Sequence, residues 1–138
     1  MTLKNFDEVA DQALRAMKQR ALELGMKGVA IVAGSEGERV QSWSSKMLVV
    51  GALKKVPSAD DPGMNLLAVA YSKAAEMSDT LQASGGGVRP PLKGEFGWPG
   101  GVIVRGKTGY LIAAFSGGAG ADDVKVSQAG LAILAATL

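Results

Sequence analysis

Gly101-Val102-Ile103-Val104-Arg105-Gly106-Lys107-Thr108-Gly109-Tyr110-Leu111-Ile112-Ala113-Ala114-Phe115 is the stretch on which the fold turns. From Gly101 to Thr108 its letters satisfy the phosphate-binding pattern of two glycines around four spacers followed by Lys-Thr, which requires a loop after a strand and a helix starting at the Lys-Thr. The spacers here are Val, Ile, Val and Arg, and a second β-prone run, Tyr110 to Phe115, follows. The segment is therefore a hairpin whose turn is Arg105-Gly106-Lys107-Thr108-Gly109. Lys107 is a solvated turn residue, and nucleotide triphosphate hydrolysis lacks the helix N-terminus that would receive phosphate. A tight turn between strands makes their pairing antiparallel.

Before the hairpin, residues 84–100 carry three consecutive glycines, Pro90-Pro91, Gly94, Gly97, Pro99 and Gly100, so they predict a long loop of the kind used for binding or lids, or else disordered. A helix precedes it, starting from Asn65 as N-cap, presenting Leu66, Ala70, Ala74, Met77 and Leu81 inward and ending at Gly85-Gly86-Gly87. Residues 54–63, with Pro57, Asp60, Asp61, Pro62 and Gly63, read as a surface loop. Further upstream, Val29 to Ala33 and Arg39 to Ser44 form a hairpin around a turn at Gly34 to Glu38. Met47 to Leu53 is a third strand, or the second continued past a bulge at Ser44-Ser45. Residues 3–24 make an amphipathic helix with a capping box at Asn5-Phe6-Asp7-Glu8, Thr2 as an alternative cap and Gly25 as the stop. After Phe115, the turn Ser116-Gly117-Gly118-Ala119-Gly120 leads to a last helix from Asp122 to Leu138 that is apolar on more than one stripe, a pattern fitting a subunit interface.

Three helices on about five antiparallel strands predict an α+β domain in three α/β/α layers, spanning 1–138 as one unit. Nineteen glycines in 138 residues are about twice the usual ~7%. They are not spread evenly, because 12 of them lie between Gly85 and Gly120. They mark a loop, a hairpin and a strand-to-helix turn.

The chain has no Cys and no His. Disulfides, thiolate nucleophiles, zinc fingers and Ser-His-Asp catalysis are thereby excluded, and no metal site is expected. Fifteen basic and 13 acidic residues are interspersed, so the net charge of +2 is no basic patch. With few aromatics for stacking, nucleic acid is not an expected partner. The first residues lack the order of a signal peptide and no apolar run is long enough to span a bilayer, so the expectation is a cytoplasmic protein without membrane contact.

The turn Ser116 to Gly120 before a helix could attract an anion, against the blander reading of a turn capped by Asp122. Asp60-Asp61 and Asp122-Asp123 read as loop and cap residues. Lys73 reads as a snorkelling surface lysine, and the six methionines as core filler.

Ser72-Lys73-Ala74-Ala75, Gly100-Gly101-Val102-Ile103-Val104 with Gly109, Phe115-Ser116-Gly117-Gly118, Asp122-Asp123 and Ala129-Gly130-Leu131 together resemble the GlcG/HbpS-like family, which is related to the C-terminal domain of PduO-type corrinoid adenosyltransferases. The likeness covers about half the chain. It implies a profilin-like domain with a five-stranded antiparallel sheet, self-association into a homo-oligomer, and an accessory role in catabolism. Some relatives bind haem. Here no His can ligate iron, and a longer segment at 54–63 replaces the family's short Asp-Gly turn.

The leading expectation is a non-enzymatic accessory module for a small planar or anionic ligand, with haem as the candidate that the resemblance supplies. Lys73 would meet a carboxylate, with Phe115, Ser116, Gly117 and Gly118 giving stacking and backbone contacts. The competing reading is an enzyme acting on an organic acid, with Lys73 or Tyr71 moving the proton and Arg105 or Arg89 clamping a carboxylate. A structural oligomer partner is the third.

Overall fold

The computed structural model describes residues 5–37 and 42–137. Three helices and two sheets make a mixed α+β fold. The main sheet has four strands in the order β2-β1-β6-β5, formed by β1 (Gly28–Glu36), β2 (Ser42–Val50), β5 (Gly101–Arg105) and β6 (Gly109–Ser116). Every pairing in it is antiparallel. The hairpin that set the fold is β5-β6, with Ile103 opposite Ile112 and Lys107 exposed in its turn.

The five strands expected in one sheet are instead four plus a separate two-stranded ribbon, β3 (Lys54–Lys55) with β4 (Met64–Asn65). The strand expected over Met47 to Leu53 is the second half of β2. Its register with β1 runs unbroken from Val50 opposite Gly28 to Ser42 opposite Glu36, with no bulge at Ser44-Ser45. β1 also outruns its expected end. Gly34, Ser35 and Glu36 are strand residues, because this central strand is flanked on both sides and their backbone groups pair with β2 and β6. The rest of that expected turn and the first part of the expected second strand, residues 38–41, lie outside the described residues, as do Thr2 and Leu138.

Period-two alternation sorts the strands onto two faces. Ala30 and Val32 of β1 and Leu111, Ala113 and Phe115 of β6 pack under α1 (Phe6–Glu23) and α3 (Gly120–Ala135). Val29, Ile31, Ile112 and Ala114 pack under α2 (Leu66–Thr80) on the opposite face. The two-sided apolar character of α3 is consumed inside the chain, where Val126, Gly130 and Leu134 meet the sheet and α1; Lys125, Gln128 and Ala132 face outward.

Helix ends follow local chemistry, with three departures. Asn65 caps α2 as expected, its Oδ1 accepting from the Ala68 N–H at 3.0 Å, and Gly25 is left-handed at φ 68° just past α1. Asn5 makes no side-chain cap, since its φ of −112° and ψ of 29° depart from the extended geometry that aims the side chain back at the helix. α2 stops at Thr80 rather than Gly85: Leu81 turns left-handed at φ 57° and its N–H closes on the Met77 carbonyl. α3 starts at Gly120, two residues early, with Ala119 at the N-cap and no side-chain cap.

The loop over 84–100 is bolted down. Ser84 N–H donates to Gly101 O and its Oγ accepts the Gly101 N–H, fixing the loop to the start of β5. Glu76 of α2 accepts the Gly85 N–H at 2.7 Å. Arg89 bridges Asp79 and Glu95, which holds the Glu95 carboxyl down at about 2, chiefly through the Arg89 hydrogen bonds and then through the Leu92 N–H. No helix among the described residues is long and apolar enough to cross a membrane.

Candidate functional site

Helical spacing puts Lys73 on the inward face of α2, three residues after Ala70 and four before Met77, so its side chain is carried into the interior. It is 3% exposed, which overturns the snorkelling surface lysine. Its ammonium donates to the Phe115 carbonyl at 2.7 Å and to Asp123 Oδ2 at 3.0 Å. Asp123, in the first turn of α3, is equally buried, and its Oδ1 accepts the Gly118 N–H at 2.9 Å. Thus the turn residue closed by a carboxylate was anticipated, but the carboxylate is Asp123. Asp122 stays near the surface beside Lys125.

Gly100 completes this floor. Its φ is 133°, and a Cβ there would run into the Lys73 ammonium. Its carbonyl accepts from the buried Ser127 hydroxyl at 2.5 Å, which fixes the peptide against α3.

Above the pair lies a cavity of about 250 Å³. Lys73, Asp123 and Ser116 sit at its base with Gly117 and Gly118; Trp98 and Pro99 form a wall; Lys55 and Met64 from the small ribbon stand at the other side. Trp98 stacks on Phe96 at 4.6 Å between ring centroids, so the wall is backed by a second ring. Burial pushes the Lys73 amine below its ordinary value against the pull of Asp123. Burial likewise pushes the Asp123 carboxyl upward, against Lys73 and the Gly118 N–H. Each member of the pair is thus held closer to neutrality than in water.

Four of the expected site residues converge here: Lys73, Ser116, Gly117 and Gly118. Phe115 contributes only its carbonyl, because its ring is fully buried on the α1/α3 face and cannot stack on a ligand. Tyr71 points elsewhere, its hydroxyl 2.6 Å from Ser45 Oγ on β2. Arg105 is exposed at the far end of β5, lining a separate cavity of about 290 Å³ with Lys107 and Tyr110. Arg89 is spent on Asp79 and Glu95 and is a staple of the loop. Among the methionines, Met17 and Met77 are core, Met64 lines the cavity and Met47 is exposed on β2, so core filling describes only part of the set.

Sequence reasoning missed Asp123, Lys55 and Trp98 as site residues. Among the described residues no three His, Cys, Asp or Glu side chains gather as a metal site. The chain matches no protein-family model, and no curated protein matches it.

Proposed function

We propose that this chain is a GlcG/HbpS-like, profilin-like accessory domain that binds a small carboxylate with a compact apolar body in the cavity over Lys73. The convergence of Lys73, Asp123, Gly117, Gly118 and Trp98 around one cavity carries this reading. Four of the segments on which the resemblance rests, Ser72-Lys73, Gly100-Gly101, Ser116-Gly117-Gly118 and Asp122-Asp123, meet around that cavity, while Gly109 lies at the separate cavity and Ala129-Gly130-Leu131 in the α3 packing.

A buried ion pair is poor value for stability, since desolvating two charges costs several kcal/mol each and an apolar pair of similar volume does as well or better. Its placement under a cavity gives it a use. Burial pushes the Asp123 carboxyl upward, so a ligand carboxylate that replaces it as the counter-ion of Lys73 leaves behind a group more readily protonated than a carboxyl in water. The positive end of α3 and the Lys55 ammonium add to the attraction, and Trp98 supplies a face for the apolar body.

Haem fits this site poorly. Pockets for drug-sized ligands are roughly 300–1,000 Å³, and the cavity of about 250 Å³ lies below that range. The chain has neither His nor Cys, and the Lys73 amine is held by Phe115 and Asp123, which leaves the Met64 thioether as the axial ligand this lining offers iron. The ligand class therefore narrows from planar or anionic to small and anionic.

Benzoate and acetate are the probes, with hemin as the contrast. Benzoate should raise the thermal midpoint saturably, acetate less so, and Trp98→Ala and Lys55→Gln should each weaken the benzoate effect. No shift with benzoate up to its solubility limit, or an equal shift in both variants, would refute the assignment. The enzymatic reading draws on the same buried amine, with Lys73 rather than Tyr71 moving the proton; conversion of a bound acid that Lys73→Met abolishes would favour it.

A further inference from the structure

The two edges of the main sheet are treated differently. The β5 edge is five residues long and is tied to the chain's own loop at its first residue, where Ser84 pairs with Gly101. The β2 edge has no neighbouring strand among the described residues. Free edges are normally guarded by proline, bulges, brevity or outward lysines. β2 has none of the first three: nine residues, Ser-Trp-Ser-Ser-Lys-Met-Leu-Val-Val, pair with β1 without interruption. Its one charge, Lys46, is drawn back onto α1 by Asp11 at 2.7 Å.

The same strand also carries an uncovered apolar face. α2 lies over β1, β6 and β5 and reaches β2 through the Tyr71 hydroxyl on Ser45, while the large apolar residues of β2 on that side stand open: Trp43 is 45% exposed, Met47 37% and Val49 40%. Trp43 is steadied by an edge-on contact with Tyr110.

We propose that β2 pairs with β2 of a second copy, antiparallel about a two-fold axis at Ser45, to make one continuous sheet. A second copy is the occupant because the strand is complementary to itself in this register. Trp43 falls opposite Met47 of the other copy, twice, giving sulfur-aromatic contacts, and Lys46 falls opposite Ser44. Moving the axis by one residue, to Lys46, would set the two lysines against each other, which is unfavourable. The interface is isologous and closed, so it gives a dimer rather than a fibre. It also moves self-association from α3, whose apolar stripes are used within the chain, to the sheet edge.

The absence of cysteine in the chain makes the register directly testable. Directly opposed antiparallel residues have Cα atoms about 4.5–5.5 Å apart, within the ~4.4–6.8 Å span of a disulfide. Under oxidation, Ser45→Cys should become a covalent dimer, while Ser44→Cys and Lys46→Cys should not. Sedimentation of the unmodified chain should give twice the 14.1 kDa chain mass. The double variant Trp43→Lys/Met47→Lys, on exposed positions, should sediment as a monomer with an unchanged far-UV spectrum. An unmodified chain that stays monomeric at the highest workable concentration overturns the proposal. So does cross-linking through Lys46→Cys in place of Ser45→Cys, or a dimer that survives the two lysines.

Discussion

Replacing the buried pair Lys73–Asp123 one residue at a time and then both together should give costs that do not add. The two groups are 3% and 4% exposed and 3.0 Å apart. Lys73→Met alone strands the Asp123 carboxylate in the interior, and Asp123→Leu alone strands the ammonium; each should cost about 3–5 kcal/mol. The double variant removes both charges. It regains about 1–4 kcal/mol of desolvation but leaves the Phe115 carbonyl and the Gly118 N–H without their partners, at about 1–3 kcal/mol each. These opposing changes put the double variant about 1–2 kcal/mol below the natural chain at mid-range and about 5 kcal/mol at most, short of the roughly 6–10 kcal/mol that the singles sum to.

Urea unfolding followed by Trp fluorescence gives all four stabilities from one linear extrapolation each. The single variants should lower the thermal midpoint by roughly 10–17 °C. If the double variant falls as far as the two singles summed, the residues support the fold independently and the argument for a functional pair fails. The pH dependence has a definite sign. Lys73 is depressed below 10.5, so between its folded value and 10.5 the unfolded chain binds more protons and stability rises with pH. Asp123 is raised above 3.8, so stability rises as pH falls through its folded value toward 3.8. Both contributions should vanish in the double variant.

Other outcomes follow from the same geometry. Benzoate affinity should increase as pH falls toward the raised Asp123 value, with uptake of a proton measurable by calorimetry in buffers of different ionisation enthalpy. Arg89→Ala should leave the thermal midpoint nearly unchanged while speeding proteolysis within 84–100; in the natural chain the Glu95 contribution is complete above about 4.5 and is lost as pH falls through about 2, so acid should expose the same segment. Gly100→Ala should cost about 2–3 kcal/mol from its φ of 133° and should weaken benzoate, because the added Cβ meets the Lys73 ammonium. Tyr71→Phe removes one hydrogen bond to Ser45 and should cost about 1 kcal/mol without touching benzoate binding.

Periodicity and turn chemistry made the helices, the β5-β6 hairpin and the antiparallel sheet legible, because those signals are local. Strand ends were less so. Gly34 and Ser35 look like turn residues until β6 arrives on the far side of β1 and pairs with them, a contact across about 75 residues that no local window contains. The same limit hid Asp123. Its partner lies 50 residues away, and beside Asp122 it has the ordinary look of a helix-start carboxylate. Lys73 did carry a signal, since it falls between Ala70 and Met77 on the buried stripe of α2, where a surface lysine does not belong.

The long reach of Lys73 has a consequence for how the molecule forms. Its contacts to Phe115 and Asp123 close chain segments of 42 and 50 residues, and such closures follow the local helices and hairpin in time because their entropy is repaid only at docking. The cavity therefore exists only once α2 has settled against the β6 end, and a chain in which that docking is undone offers a ligand no site. Occupancy reports this docking, and Trp98 in the cavity wall should follow it separately from Trp43 on β2.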